Sequence, residues 1–183
     1  SYALDALDDG SLPKPDRLVL ISPMVGITAF ARFVGLAALP AVFPAFARAA
    51  WVAILPEFNP FKYNSFPVKA ARQSYLLTDH LQQSIADHAR RNGLADLPPT
   101  ITFQSVVDFT VSTRAVINGL YNQLPANCSE LVLFDLNRAA RFGPLLARAA
   151  ETRLTRLLPS PPRPFRTTII TNATDNSTQM VER

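Results

Sequence analysis

Ile101-Thr-Phe-Gln-Ser-Val-Val-Asp-Phe-Thr-Val-Ser-Thr113 is the stretch whose reading decides the fold. It follows Pro98-Pro99, where a helix cannot continue, and opens with the β-branched and aromatic residues of a buried strand. Asp108 falls where that strand should give out, and Ser112 and Thr113 are good caps for a helix beyond it. In an open α/β sheet the carboxyl ends of the strands form the usual ligand-binding edge. Asp108 is therefore a candidate orienting acid. The same position equally suits an aspartate that ends a strand and caps a turn.

The flanks repeat the rhythm. Arg17-Leu-Val-Leu-Ile-Ser22 is a short apolar run of the kind buried on both faces of a parallel sheet. Before it, Ser1–Leu7 reads as the last turns of a helix, with Gly10 as a left-handed stop ahead of Pro13. After the central stretch, Val116, Leu120, Tyr121 and Leu124 predict an amphipathic helix stopped by Pro125. Glu130–Asp135 is a second clear strand, again ending on an aspartate. Pro144 opens an expected helix over 145–158, residues 159–164 form a stiff proline-rich connector, and Arg166–Thr171 is a last strand, with no closing element expected after it. Strands alternating with helices predict an α/β fold with a mostly parallel sheet.

The segment between the first two strands differs in character. The fifteen residues from Phe33 to Ala47 carry no charge, but Pro40 and Pro44 interrupt them, and a membrane-spanning helix needs about 20. Short helices broken at the prolines, covering an apolar pocket or lying at a membrane surface through residues 29–56, fit better. The aromatic-rich loop from Pro56 to Phe66 needs something to pack on, either the protein body or a greasy ligand. Ser65 and Pro67 mark a helix start, Val68, Ala71, Tyr75, Leu81, Ile85 and Ala89 carry the helical period, and Arg90, Arg91 and Gly93 close it. His80 and His88, the two histidines, both fall on this helix. Eight positions separate them by about 12 Å, too far to share a metal, and they read as surface or half-buried residues.

Composition bounds the function. With 183 residues, 48% apolar and 17% charged, the chain can bury one sizeable core. The net charge is +4, yet the basic residues are scattered and do not interleave with aromatics, so no nucleic-acid partner is expected. Cys128 is the single cysteine, which gives neither an intrachain disulfide nor a metal spacing and leaves the compartment undetermined. The six glycines stand at least nine positions apart, which excludes a dinucleotide turn, a phosphate loop and a G-x-S-x-G nucleophile elbow within these residues. No cofactor or metal site is expected. Three N-x-S/T triplets, at Asn127, Asn172 and Asn176, carry little weight in a chain this rich in those residues.

The array strand, long apolar insert, Ser105-Val-Val-Asp108-Phe-Thr-Val111, helix, strand resembles the second half of an α/β-hydrolase, closest to the lysophospholipase and monoglyceride-lipase-like (serine-aminopeptidase-like) branch. That family carries G-x-x-D-x-x-V after its penultimate core strand, where the aspartate is the triad acid. Here Asp108 and Val111 match, and Ser105 replaces the glycine. The resemblance implies residues 1–27 as a core piece, 28–97 as a helical cap over an acyl pocket, and 98–183 as the C-terminal part of the α/β core. It also implies a nucleophilic serine before Ser1 and, since no histidine follows His88, a histidine beyond Arg183. The expected activity is that of a serine hydrolase on a small-molecule apolar ester, with the 183-residue chain inert by itself. Two rivals are a non-catalytic lipid- or partner-binding member of the fold and a peripheral membrane protein.

Overall fold

A computed structural model describes residues 2–26, 48–55, 60–61, 64–91, 93–106, 108, 111–136, 157–174, 177 and 179–182. Residues 27–47 of the chain and most of the helix expected over 145–158 lie outside these residues.

Among the described residues the regular structure comprises seven strands, three α-helices and short 3-10 turns. The strands and α-helices are α1 (Tyr2–Asp8), β1 (Leu18–Ile21), β2 (Trp51–Ala53), β3 (Phe66–Pro67), α2 (Val68–Arg90), β4 (Thr100–Ser105), α3 (Thr113–Gly119), β5 (Glu130–Asp135), β6 (Arg166–Asn172) and β7 (Met180–Glu182). The main sheet has the order β1-β4-β5-β6-β7. Its first four strands run parallel, and β7 pairs antiparallel to β6. This mostly parallel sheet with helices is an α/β fold, as the alternation of strand and helix signals predicts. The closing strand β7 was not expected from the sequence; three residues carry too little periodicity to announce it.

The core lies on one face. Leu4 of α1, Ile85 of α2, Val116 and Ile117 of α3, and Leu131 and Leu133 of β5 form one buried cluster, with Leu18, Leu20 and Ile169 packed against it. The strands are added successively in one direction, and parallel crossovers share one hand, so the connecting helices share a face. Fully burying side chains such as Ile117 and Leu131 stabilises by about 1.5–3 kcal/mol each.

The opposite face reverses an expectation. Val19 and Ile21 of β1 are 63% and 77% exposed, so this strand is not buried on both faces. It is the edge of the described sheet, and only its Leu18 and Leu20 face helices. The neighbouring strand β4 also inverts the hydrophobic pattern: Thr100, Thr102 and Gln104 are buried, whereas Ile101, Phe103 and Ser105 are half-buried. β4, an interior strand, turns its polar set toward the helices, where hydrogen bonds satisfy part of it and leave Thr102 Oγ1 and Gln104 Oε1 without one. Ser129 Oγ accepts the Thr100 N–H at 3.0 Å, Thr100 Oγ1 donates to the Pro98 carbonyl at 3.1 Å, and the Gln104 amide serves the loop beyond.

Local punctuation also differs in detail. Gly10 does not take a left-handed stop; Asp9 closes that turn, with its Oδ1 accepting from Ser11 N and Ser11 Oγ at 2.9 and 2.7 Å. Those two bonds hold the Asp9 carboxyl below its ordinary value. The α2 N-cap is Pro67, without a side-chain bond, while Ser65 Oγ bridges the Leu55 N–H and carbonyl, both at 3.1 Å. Ser65 is thus a clasp across the β2–β3 pair rather than a cap. Gly93 begins a 3-10 turn, Gly93–Asp96, instead of ending α2. Residues 51–53, expected within broken helices, form a strand antiparallel to β3.

Candidate functional site

Asp108 stands three residues past the last residue of β4, at the carboxyl edge of the parallel strands. The turn that carries it is built from the strand outward. The Asp108 N–H donates to the Ser105 carbonyl at 3.3 Å, and Asp108 Oδ1 accepts the Val111 N–H at 2.9 Å. An aspartate whose side chain takes a backbone N–H a few residues on is a local turn-former, so the carboxylate orientation is fixed by the loop it stabilises. Ser112 then caps α3 as expected, its Oγ accepting the Ala115 N–H at 3.2 Å. An N-cap of this kind contributes about 1 kcal/mol.

Of the two residues beneath the turn, Gln104 is not singled out by the sequence, and Thr113, read there as a helix cap, has a second role. Gln104 is fully buried, and its Nε2 lies 3.3 Å from the Ser105 carbonyl, 3.4 Å from Thr113 Oγ1 and 3.5 Å from Asp108 Oδ2. Thr113 Oγ1 donates to the Ser105 carbonyl at 2.9 Å. The Ser105 carbonyl is therefore a hub that ties the strand end to the turn and to the first residue of α3. These contacts are long for Gln104, and one amide nitrogen has two protons to share among three acceptors, so each is weak by itself. The signal available in the sequence was the polar Gln104 two residues from Thr102 in strand alternation, which marks a shared face without saying that the face is buried.

The end of β1 is clamped against the same place. The Ser112 N–H donates to the Gly26 carbonyl at 3.1 Å, and Gln82 Nε2 of α2 donates to the Val25 carbonyl at 2.9 Å. A Cβ at Gly26 would meet the Gln82 amide and would stand 2.5 Å from Ala115 Cβ, so only glycine fits this approach of loop to helices. Next along the edge, Asp135 ends β5 and is buried at 1% exposure, with its carbonyl accepting from Thr171 Oγ1 at 3.1 Å.

Neither histidine reaches this edge as an evident partner. His80 is exposed on α2. His88 is buried, not half-buried as expected: its Nδ1 bonds the Ser84 carbonyl at 2.8 Å, and its Nε2 is 3.1 Å from Asp8 Oδ2. The last turn of α2 leads through the 3-10 turn to the amino end of β4, about 16 Å of strand away from the end that precedes Asp108. His88 joins α1 to α2. Cys128 is exposed at φ 63° in the loop before β5, with no histidine bonded to it among the described residues. No group of three potential metal ligands occurs among the described residues.

Compared with protein-family models, with characterised proteins and with solved structures, the chain matches none.

Proposed function

We propose that this chain is the C-terminal part of a serine hydrolase that cleaves esters of lipid-like or other apolar acyl substrates, with Asp108 as its triad acid. One observation carries the reading: a half-buried carboxylate follows an interior strand of a parallel sheet at its carboxyl edge, one oxygen pinned by the Val111 N–H. A pinned carboxylate at that edge is what an orienting acid requires. It would accept a proton of a histidine ring nitrogen, fix the tautomer, and stabilise the imidazolium formed as the serine is deprotonated. The serine and that histidine are assigned to parts of the parent protein outside these 183 residues, and residues 28–97 to a cap over the acyl pocket. Tetrahedral-intermediate charge would be met by backbone N–H groups near the nucleophile.

The test is hydrolysis of p-nitrophenyl esters by the parent protein and its Asp108→Asn variant. Replacing the acid of such a triad lowers kcat by about 10,000-fold, because the imidazole is held in the wrong tautomer. A variant that turns over at the parental rate overturns the role of Asp108.

A further inference from the structure

A second surface lies away from the sheet edge, on the two-stranded β2–β3 element and the first turns of α2. Trp51, Ile54, Leu55 and Phe66 are each about half exposed, and Phe61 is 95% exposed. Soluble proteins scatter single apolar residues over their surface, whereas large ones crowded on a small element mark an interaction site. A two-stranded hairpin is itself marginal in water, and this one shares no strand with the main sheet. Its charge is one-sided. Between Arg48 and Thr78 the sequence has four basic residues, Arg48, Lys62, Lys69 and Arg72, against one acid, Glu57. Arg48, Lys69 and Arg72 are exposed, and the first turn of α2 contains no acidic residue.

Exposed aromatics and aliphatics next to cations that outnumber the acids, four to two over residues 48–79, fit an anionic lipid surface. Tryptophan and phenylalanine enter the boundary between headgroups and acyl chains, while lysine and arginine stay at the anionic headgroups. We infer that the β2–β3 pair and the start of α2 dock on anionic membrane surfaces, with Trp51, Phe61 and Phe66 entering the interface and Lys69 and Arg72 contacting the headgroups. The docking proposed is at the membrane surface, and no helix among the described residues is long and apolar enough to cross a membrane. It stands independently of the role given to Asp108.

Trp51 is the single tryptophan, so its fluorescence reports on this surface alone. The chain is mixed with phosphatidylcholine vesicles with and without phosphatidylserine, and both co-sedimentation and the emission maximum are followed. Binding to the phosphatidylserine vesicles with a blue shift of Trp51 is expected. Each of Lys69→Gln and Arg72→Gln should weaken binding about five-fold. Phe61→Ser, at a position 95% exposed, should reduce both binding and the blue shift. Absence of sedimentation and of blue shift with either vesicle overturns the inference. So does a concentration-dependent dimer that buries Trp51 in the absence of lipid while vesicles stay unbound.

Discussion

Tyr121 offers the sharpest test of the packing. It is fully buried, its ring meets Phe165 edge-on at 4.9 Å between centroids, and its hydroxyl donates to the Glu130 carbonyl at 2.6 Å, with the Thr100 carbonyl at 3.4 Å. One phenol thus joins the first residues of β4 and β5 from beneath. Tyr121→Phe keeps the ring and leaves a buried carbonyl without its donor, at a cost of about 1–3 kcal/mol. For a chain of this size that lowers Tm by about 2–4 °C per kcal/mol.

The same burial pushes the phenol up to about 12 from an ordinary value of 10.0. Below pH 10 the folded and unfolded states both hold the proton, so the contribution is constant there. Between about 10 and 12 the unfolded chain releases the proton and the folded one keeps it, so stability falls as pH rises. By about pH 11 the loss is roughly 1.4 kcal/mol, and the Phe variant has no such loss. Urea unfolding followed by circular dichroism at about pH 7, 9 and 11 should show the wild type ahead by 1–3 kcal/mol, on the order of one hydrogen bond, at the first two values. The advantage should then shrink by about 1 kcal/mol at the third. A gap that is absent at neutral pH, or that stays constant through pH 11, would refute the buried, hydrogen-bonded phenol.

Two further substitutions probe the ground under the candidate site. Gly26→Ala forces a methyl group against Gln82 and Ala115, and thermal melts should show a loss of about 1–3 kcal/mol, as for overpacked cores; an unchanged Tm would mean that the β1 end is not clamped there. Gln104→Leu removes the amide near Asp108 Oδ2 together with Gln104 Oε1, a buried oxygen that has no hydrogen-bond partner. Deleting both roles at once should leave stability within about 1 kcal/mol, while esterase kcat/KM of the parent protein falls. Full activity in this variant would show that Gln104 does not help to hold the acid.

Much of the frame was legible in the sequence because it rests on local chemistry. The strands at 100–105 and 166–172 are rich in β-branched residues, 130–135 is a short apolar run, 68–90 carries a helical period, and Ser112 caps α3 through its own hydroxyl. Asp108 could be placed after a strand end for the same reason. What it faces could not, because the contacts of Gln104 and Thr113 depend on how the strand end folds back over α3.

Local signals failed wherever a neighbour distant in sequence decided the outcome. Leu18-Val-Leu-Ile21 reads as doubly buried, yet a strand is covered only where something packs on it, and the described helices pack against Leu18 and Leu20 while Val19 and Ile21 are exposed. The alternation of β4 points Ile101 and Phe103 inward by hydropathy. Strand order and crossover hand put Thr100, Thr102 and Gln104 under the helices instead, with Ser129 and Tyr121 from later in the chain bonding Thr100. Likewise, Ser65 serves Leu55 rather than α2, and His88 is buried because Asp8 and the end of α1 lie over it. The sequence alone determined the four parallel strands, the helices at 2–8, 68–90 and 113–119, and where Asp108 falls among them. The tertiary structure decided which face of each is inside, because burial belongs to pairs of elements and backbone propensity to single ones.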